Sequence, residues 1–303
     1  MNTINEVIVK SDTTLQHKKE LANERRALFI RRILANKMIV VGGVILFFIS
    51  LIAIFAPAIV QFTPYELETM NRLKPPSSTH WFGTDNFGRD IFSRVVYGAR
   101  VSIIIGITVA LITAVIGLFL GLYSAYYRPL DHVLMRFADG LMAFPSILLA
   151  IAIMAVMGPN AINVVIALVI VESPVVARVV RSAALVIKEQ TYIEAMKAQG
   201  ASSWRIIWLH IAPNILPALI VQITYVFSVA MIIEAALSFL GAGIPAPEPS
   251  WGNILFDGKS VITTAWWMTV FPGVFLLLAV LSSNLLGDGI RDLLDPHSNK
   301  ANK

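Results

Sequence analysis

Long apolar runs broken by short polar segments make up most of this chain, and their lengths set the first expectation. Runs at about 38–59, 101–127, 132–157, 162–177, 215–240 and 266–286 approach or exceed the ~20 residues that carry a helix across a hydrocarbon core. Backbone inside that core must satisfy its own hydrogen bonds, so the pattern predicts an all-α polytopic membrane protein with six transmembrane helices. Gly158-Pro159-Asn160 supplies the tight turn between spans three and four. Gly106, Gly117 and Gly121 mark places where span two can approach its neighbours closely.

The polar segments carry the finer signals. Pro64, Pro75 and Pro76 argue against a continuous helix between the first two spans. Further on, Thr84 or Asp85 is expected to cap a surface helix, with Phe87, Ile91 and Val95 on one side and Asp90 and Arg94 as an i, i+4 pair. The stretch 191–217 reads as two short helices separated by a break. Residues 192–199 are helix formers, Gly200 can take the left-handed conformation that ends a helix, and Ser202 or Ser203 can cap the next one. Trp204, Ile207, Trp208 and Ile211 then recur at helical spacing, an apolar side for the bilayer or other helices. The first short helix differs, presenting Glu194 and Lys197 beside Ile193 and Met196, a mixed surface suited to a groove on another protein. The alternative is an interfacial helix that merely joins two spans.

Composition agrees with the pattern: 56% of residues are hydrophobic and 14% charged, with a mean hydropathy of +0.72. The net charge of +5 bears on topology more than on nucleic acid, for which no role is expected. With six spans and both termini cytoplasmic, 18 of the 24 Lys and Arg residues fall in inside segments, as the positive-inside bias requires. The expected organisation is a basic tail over 1–37, a first span over 38–59, an external segment over 60–100, a five-helix core over 101–286 and a cytoplasmic tail over 287–303; the core includes a cytoplasmic segment at 178–214. Despite Ala56-Pro57-Ala58, the first span is expected to be retained as an anchor. With no cysteine, disulfides and thiolate chemistry are excluded.

Candidate chemistry is sparse. Gly252 to Ser260 ends in Gly-Lys-Ser, yet five residues separate its glycines where a phosphate-binding loop needs four, and no strand precedes it. His17, His80, His132, His210 and His297 show no ligand spacing, so no metal site is expected. Asp139, Glu172 and Glu234 fall within the apolar runs, where a carboxylate must face the bundle, a partner or water. They are the candidate pathway or bundle carboxylates.

Several motifs together resemble the permease subunits of ABC importers. Glu194, Ala195, Met196, Gly200, His210, Ala212 and Pro213 follow that family's coupling pattern, departing from it at Met196, His210 and Ala212. Gly83-Thr84-Asp85, Gly88-Arg89-Asp90, Ser93-Arg94, Ala143-Phe144-Pro145, the run Glu234 to Gly241, Pro249-Ser250-Trp251-Gly252, Gly287-Asp288-Gly289, Arg291-Asp292 and Asp295-Pro296 resemble the C-type subunit of peptide and nickel importers. The likeness covers about residues 28–296. It implies the type I importer permease fold, a prokaryotic cytoplasmic membrane, and transport of di- or oligopeptides, nickel or a metal chelate. It also implies a second homologous permease, two cytoplasmic ATPase subunits that use ATP and Mg, and an external solute-binding protein. The chain itself would bind no cofactor and catalyse no reaction. Glu194, Ala195, Met196, Lys197, Gly200 and Pro213 would form the contact with an ATPase. The rival expectation is a proton-coupled secondary transporter that uses Glu172 or Glu234.

Overall fold

The computed structural model describes residues 30–294 together with residues 21, 24, 27 and 28. Most of the basic N-terminal tail, His17, His297 and Asp295-Pro296 lie outside the described residues. Among the described residues from Lys37 onward, nine helices have eight residues or more: α1 (Lys37–Ile54), α2 (Ile91–Tyr126), α3 (Arg128–Met142), α4 (Ser146–Met157), α5 (Ala161–Lys188), α6 (Thr191–Ala198), α7 (Ala212–Phe239), α8 (Trp251–Gly258) and α9 (Trp267–Leu294). Among the described residues five helical stretches are long and apolar enough to cross a membrane, and α3 with α4 makes a sixth if that bent pair is one span.

The bend corrects the expectation of a straight third span. Pro145 has no N–H and restrains the residue before it, so the helix stops at Met142 and restarts at Ser146, turned by 91°. Residues 128–136, which join it to span two, are the first part of α3. Asp139 therefore sits on a separate helix with its side chain about half exposed. Span four is also longer than its apolar run, because α5 continues through Pro174 to Lys188. At the C-terminus α9 runs on unbroken through Gly287 and Gly289, where a separate tail was expected.

The surface helix before span two is corrected as well. Asp90, not Thr84 or Asp85, caps the helix, its carboxylate accepting from Ser93 N at 2.8 Å. The helix begins at Ile91 and is one piece with the span; Ile91, Arg94 and Val95 are buried, and Phe87 lies outside it, exposed. Asp90 does not pair with Arg94, because its other oxygen lies 2.9 Å from His80 Nδ1.

Close helix approach falls where small residues allow it. A Cβ on Gly117 would stand 2.5 Å from Val176, and one on Gly121 2.6 Å from the Ala177 carbonyl, so α2 and α5 pack through a small-residue seam. The C-terminal ends of α2 and α5 meet where Lys188 Nζ donates to the carbonyls of Ala125 and Tyr126. This is also the end of the bundle that carries α6.

Candidate functional site

The exposed polar surface at that end is built on α6. Ile193 is fully buried and anchors the helix, and Met196 is half-buried. Glu194, Ala195, Lys197 and Gly200 all face outward. The helix ends as its sequence dictates. Gly200 adopts φ +80°, its N–H donates to the Lys197 carbonyl at 3.0 Å, and Ala201 N–H donates to the Met196 carbonyl at 3.0 Å. That paired closure needs a left-handed residue, which glycine adopts without strain.

The segment after the break departs from expectation. Ser202 stands at the cap position but its side chain makes no capping hydrogen bond. No separate second helix forms: a single turn at Ser203–Arg205 enters a π-helical turn, Ile206–Ile211, which leads directly into α7. Pro213, second residue of α7, cannot donate to the carbonyl four residues back and crowds it, and the wider turn makes room for its ring. The wide register buries Ile206, Ile207 and Ile211 and leaves Trp204 exposed, so α6 is tethered firmly to the base of α7.

The three candidate carboxylates are not brought together. Asp139 pairs with Arg178, and Asp131, about two turns earlier on α3, pairs with Arg181, so the two acids fasten α3 to α5. Glu234 is fully buried and accepts hydrogen bonds from Ser102 Oγ at 3.0 Å and Ser238 Oγ at 2.9 Å, tying α7 to α2. Glu172 is 4% exposed and has no hydrogen-bond or ion-pair partner among the described residues. The stretch 252–260 forms no phosphate loop: residues up to Gly258 belong to α8, opened by a reciprocal cap between Ser250 and Asn253, and Lys259 and Ser260 continue it as a 3-10 turn.

At the opposite end lies a cluster the sequence reading missed. Asp85 accepts from Arg89 Nε at 2.6 Å and from two backbone N–H groups, while Arg89 reaches Asp257 on α8 at 2.9 Å. Arg94 stands 3.7 Å from both carboxylates. Burial pushes the Asp257 carboxyl up, against the pull of Arg94 and Arg89. Trp267 Nε1 donating to the Thr84 carbonyl and Trp251 Nε1 donating to the Val95 carbonyl close the same junction. The cue was the density of Asp and Arg after Gly83, but the partner is 168 residues away.

Known proteins share this sequence and fold. Residues 114–300 match the family described as binding-protein-dependent transport system inner membrane components, and residues 25–76 match the N-terminal transmembrane domain of oligopeptide transport permease C. A putative peptide transport system permease protein of Brucella abortus is 47% identical over 269 residues, 89% of this chain and 91% of the relative. The dipeptide transport system permease protein of Alkalihalophilus pseudofirmus is 48% identical over 262 residues, 86% of each chain. The oligopeptide transport system permease protein of Bacillus subtilis is 40% identical over 287 residues, 93% of this chain and 92% of the relative. A chain of the MetNI methionine ABC transporter in inward-facing crystal structures has the same fold, with a TM-score of 0.57 at 20% identity over 68% of this chain and 98% of that one. This chain therefore belongs to the binding-protein-dependent transport system inner membrane components, as a multi-pass permease subunit of the peptide-type ABC importers in a prokaryotic cytoplasmic membrane.

Proposed function

We propose that this chain forms one half of a translocation pathway for di- or oligopeptides and receives its driving force through α6. In this reading α6 lies at the cytoplasmic face and docks in a groove of an ATPase subunit. A second permease completes the pathway, two ATPases supply ATP hydrolysis, and an external binding protein delivers the solute. The observation that carries the reading is the form of α6: one buried anchor, an outward face bearing Glu194 and Lys197, and a closure at Gly200 that joins it to the base of α7. A push on such a helix passes to α7 without loss in a loop. Coupling is then a difference in ATPase contact between two states of the bundle. The relatives named for peptide and dipeptide transport support the substrate class.

Glu194→Lys reverses the charge of the docking face, and Gly200→Pro breaks the closure. Each is expected to lower ATP-driven peptide uptake by at least about tenfold, the effect of ~1.4 kcal/mol of lost coupling, with unchanged amounts of protein in the membrane. Uptake at the wild-type level by either variant overturns the assignment.

The buried Glu172 carboxylate, without a partner among the described residues, favours proton-coupled transport. Uptake into vesicles driven by a proton gradient without ATP, and lost in Glu172→Gln, would establish that rival.

A further inference from the structure

Where α2, α3, α5 and α6 meet, they enclose a polar pocket of about 340 Å³. Arg128, Lys188 and Lys197 line it together with Asp131, Glu189 and Glu194. These groups differ in what already holds them. Asp131 is taken by Arg181. Lys188 gives two of its protons to the carbonyls of Ala125 and Tyr126, at 2.7 and 3.1 Å, and keeps a third. Lys197 has the Tyr126 ring, 5.9 Å away. Arg128, Glu189 and Glu194 have no hydrogen bond or ion pair through their side chains among the described residues. Ser124, 2% exposed, also lines the pocket, and its buried hydroxyl has no partner. Such a group costs stability unless something satisfies it.

The pocket lies beside a belt of aromatic rings. Tyr123 and Tyr127 stack at 6.2 Å near the end of α2, Phe119 meets Trp208 at 4.9 Å, and Trp204 meets Trp208 at 5.4 Å. Tyr and Trp gather at the level of lipid headgroups, so the pocket stands at the depth of the phosphates. Its charge is mixed: three cations face two unengaged carboxylates. A purely anionic headgroup would meet both carboxylates, and a quaternary ammonium has no N–H to give them.

We propose that this pocket seats the headgroup of an aminophospholipid, with the phosphate held by Arg128, Lys188 and the Ser124 hydroxyl and the primary ammonium by Glu189, while Glu194 and Lys197 of α6 only form its rim. The inference rests on the chain's place in the membrane and not on α6 meeting an ATPase. Because Glu194 and Lys197 belong to α6, an occupied pocket braces that helix against α2 and α5.

The test uses the full-length protein in mild detergent, incubated with mixed micelles holding equal amounts of phosphatidylethanolamine, phosphatidylcholine and phosphatidylglycerol, with retained lipid measured by mass spectrometry. Phosphatidylethanolamine is expected to be retained over each of the others by about fivefold, the effect of roughly one well-placed surface charge. Ser124→Ala with Arg128→Gln lowers retention of all three lipids, Arg128→Lys keeps both retention and preference, and Glu189→Gln reduces the preference over phosphatidylcholine and over phosphatidylglycerol. Soluble phosphoethanolamine, lacking acyl chains, does not displace the lipid. Equal retention of the three lipids, a preference for phosphatidylglycerol, displacement by soluble phosphoethanolamine, or unchanged retention in the double variant overturns the proposal. Monodisperse elution of the double variant separates lost binding from lost fold; if it does not elute so, the exposed Glu189→Gln variant decides.

Discussion

Glu172, Glu234 and Asp139 are alike along the chain, each an acid in an apolar run, and the structure separates them by what surrounds each side chain. Asp139 leaves the membrane run with α3 and pairs with Arg178. Glu234 is satisfied by two hydroxyls and acts as a clasp between α7 and α2. Ser238, one turn on, was legible as a partner from spacing; Ser102, 132 residues away, was not. Long-range pairing is the part that periodicity cannot supply, and the junction of Asp85, Arg89 and Asp257 shows it most plainly. Asp90 and Arg94 have the spacing of a helical pair, but Asp90 is spent on capping α2 and on His80. Removing one member of a buried ionic cluster leaves its partners charged and unpaired. Arg89→Met is therefore expected to cost about 3–5 kcal/mol, read as a lowered unfolding midpoint in detergent. A midpoint within about a degree of wild type would show the cluster to be incidental.

At the scale of helices, apolar length gave five of the six expected spans as single helical stretches and the sixth as a bent pair, while their ends were set by backbone chemistry. Pro145 breaks a helix but Pro174 does not, although both lie in apolar runs. The difference lies in the surroundings: α5 is buried along much of its length around Pro174, and neighbours hold the helix together through the missing hydrogen bond. The glycines of α2 were legible because close packing needs small residues wherever helices meet. Gly121→Leu would drive a side chain into Ala177 and Val180 and is expected to destabilise by about 1–3 kcal/mol. Gly140→Ala on α3, with open space around the new methyl, is the control; it should be neutral or stabilise by up to about 1 kcal/mol. Equal unfolding midpoints for the two variants would contradict the seam. The segment 191–217 was legible at its closure, Gly200, and illegible at the π turn. That turn answers Pro213, and no apolar periodicity reports it.

For the whole molecule, α6 lies at one end of the bundle and the ionic junction of Asp85, Arg89 and Asp257 at the other. The chain's Gly-Lys-Ser stretch makes no phosphate loop, because it is the end of α8 and the 3-10 turn that follows. In the proposed function separate subunits hydrolyse ATP, and the exposed face of α6 is where one of them would hold the chain. The most direct measurement is co-purification: the tagged chain is extracted with mild detergent from cells expressing its neighbouring subunits, and every retained protein is identified, with Glu194→Lys in parallel. The expected result is recovery of ATPase subunits with the wild-type chain and their loss, by at least about tenfold, from the variant. Equal recovery with both chains, or recovery of the wild-type chain alone while it still drives uptake from a proton gradient, would contradict it.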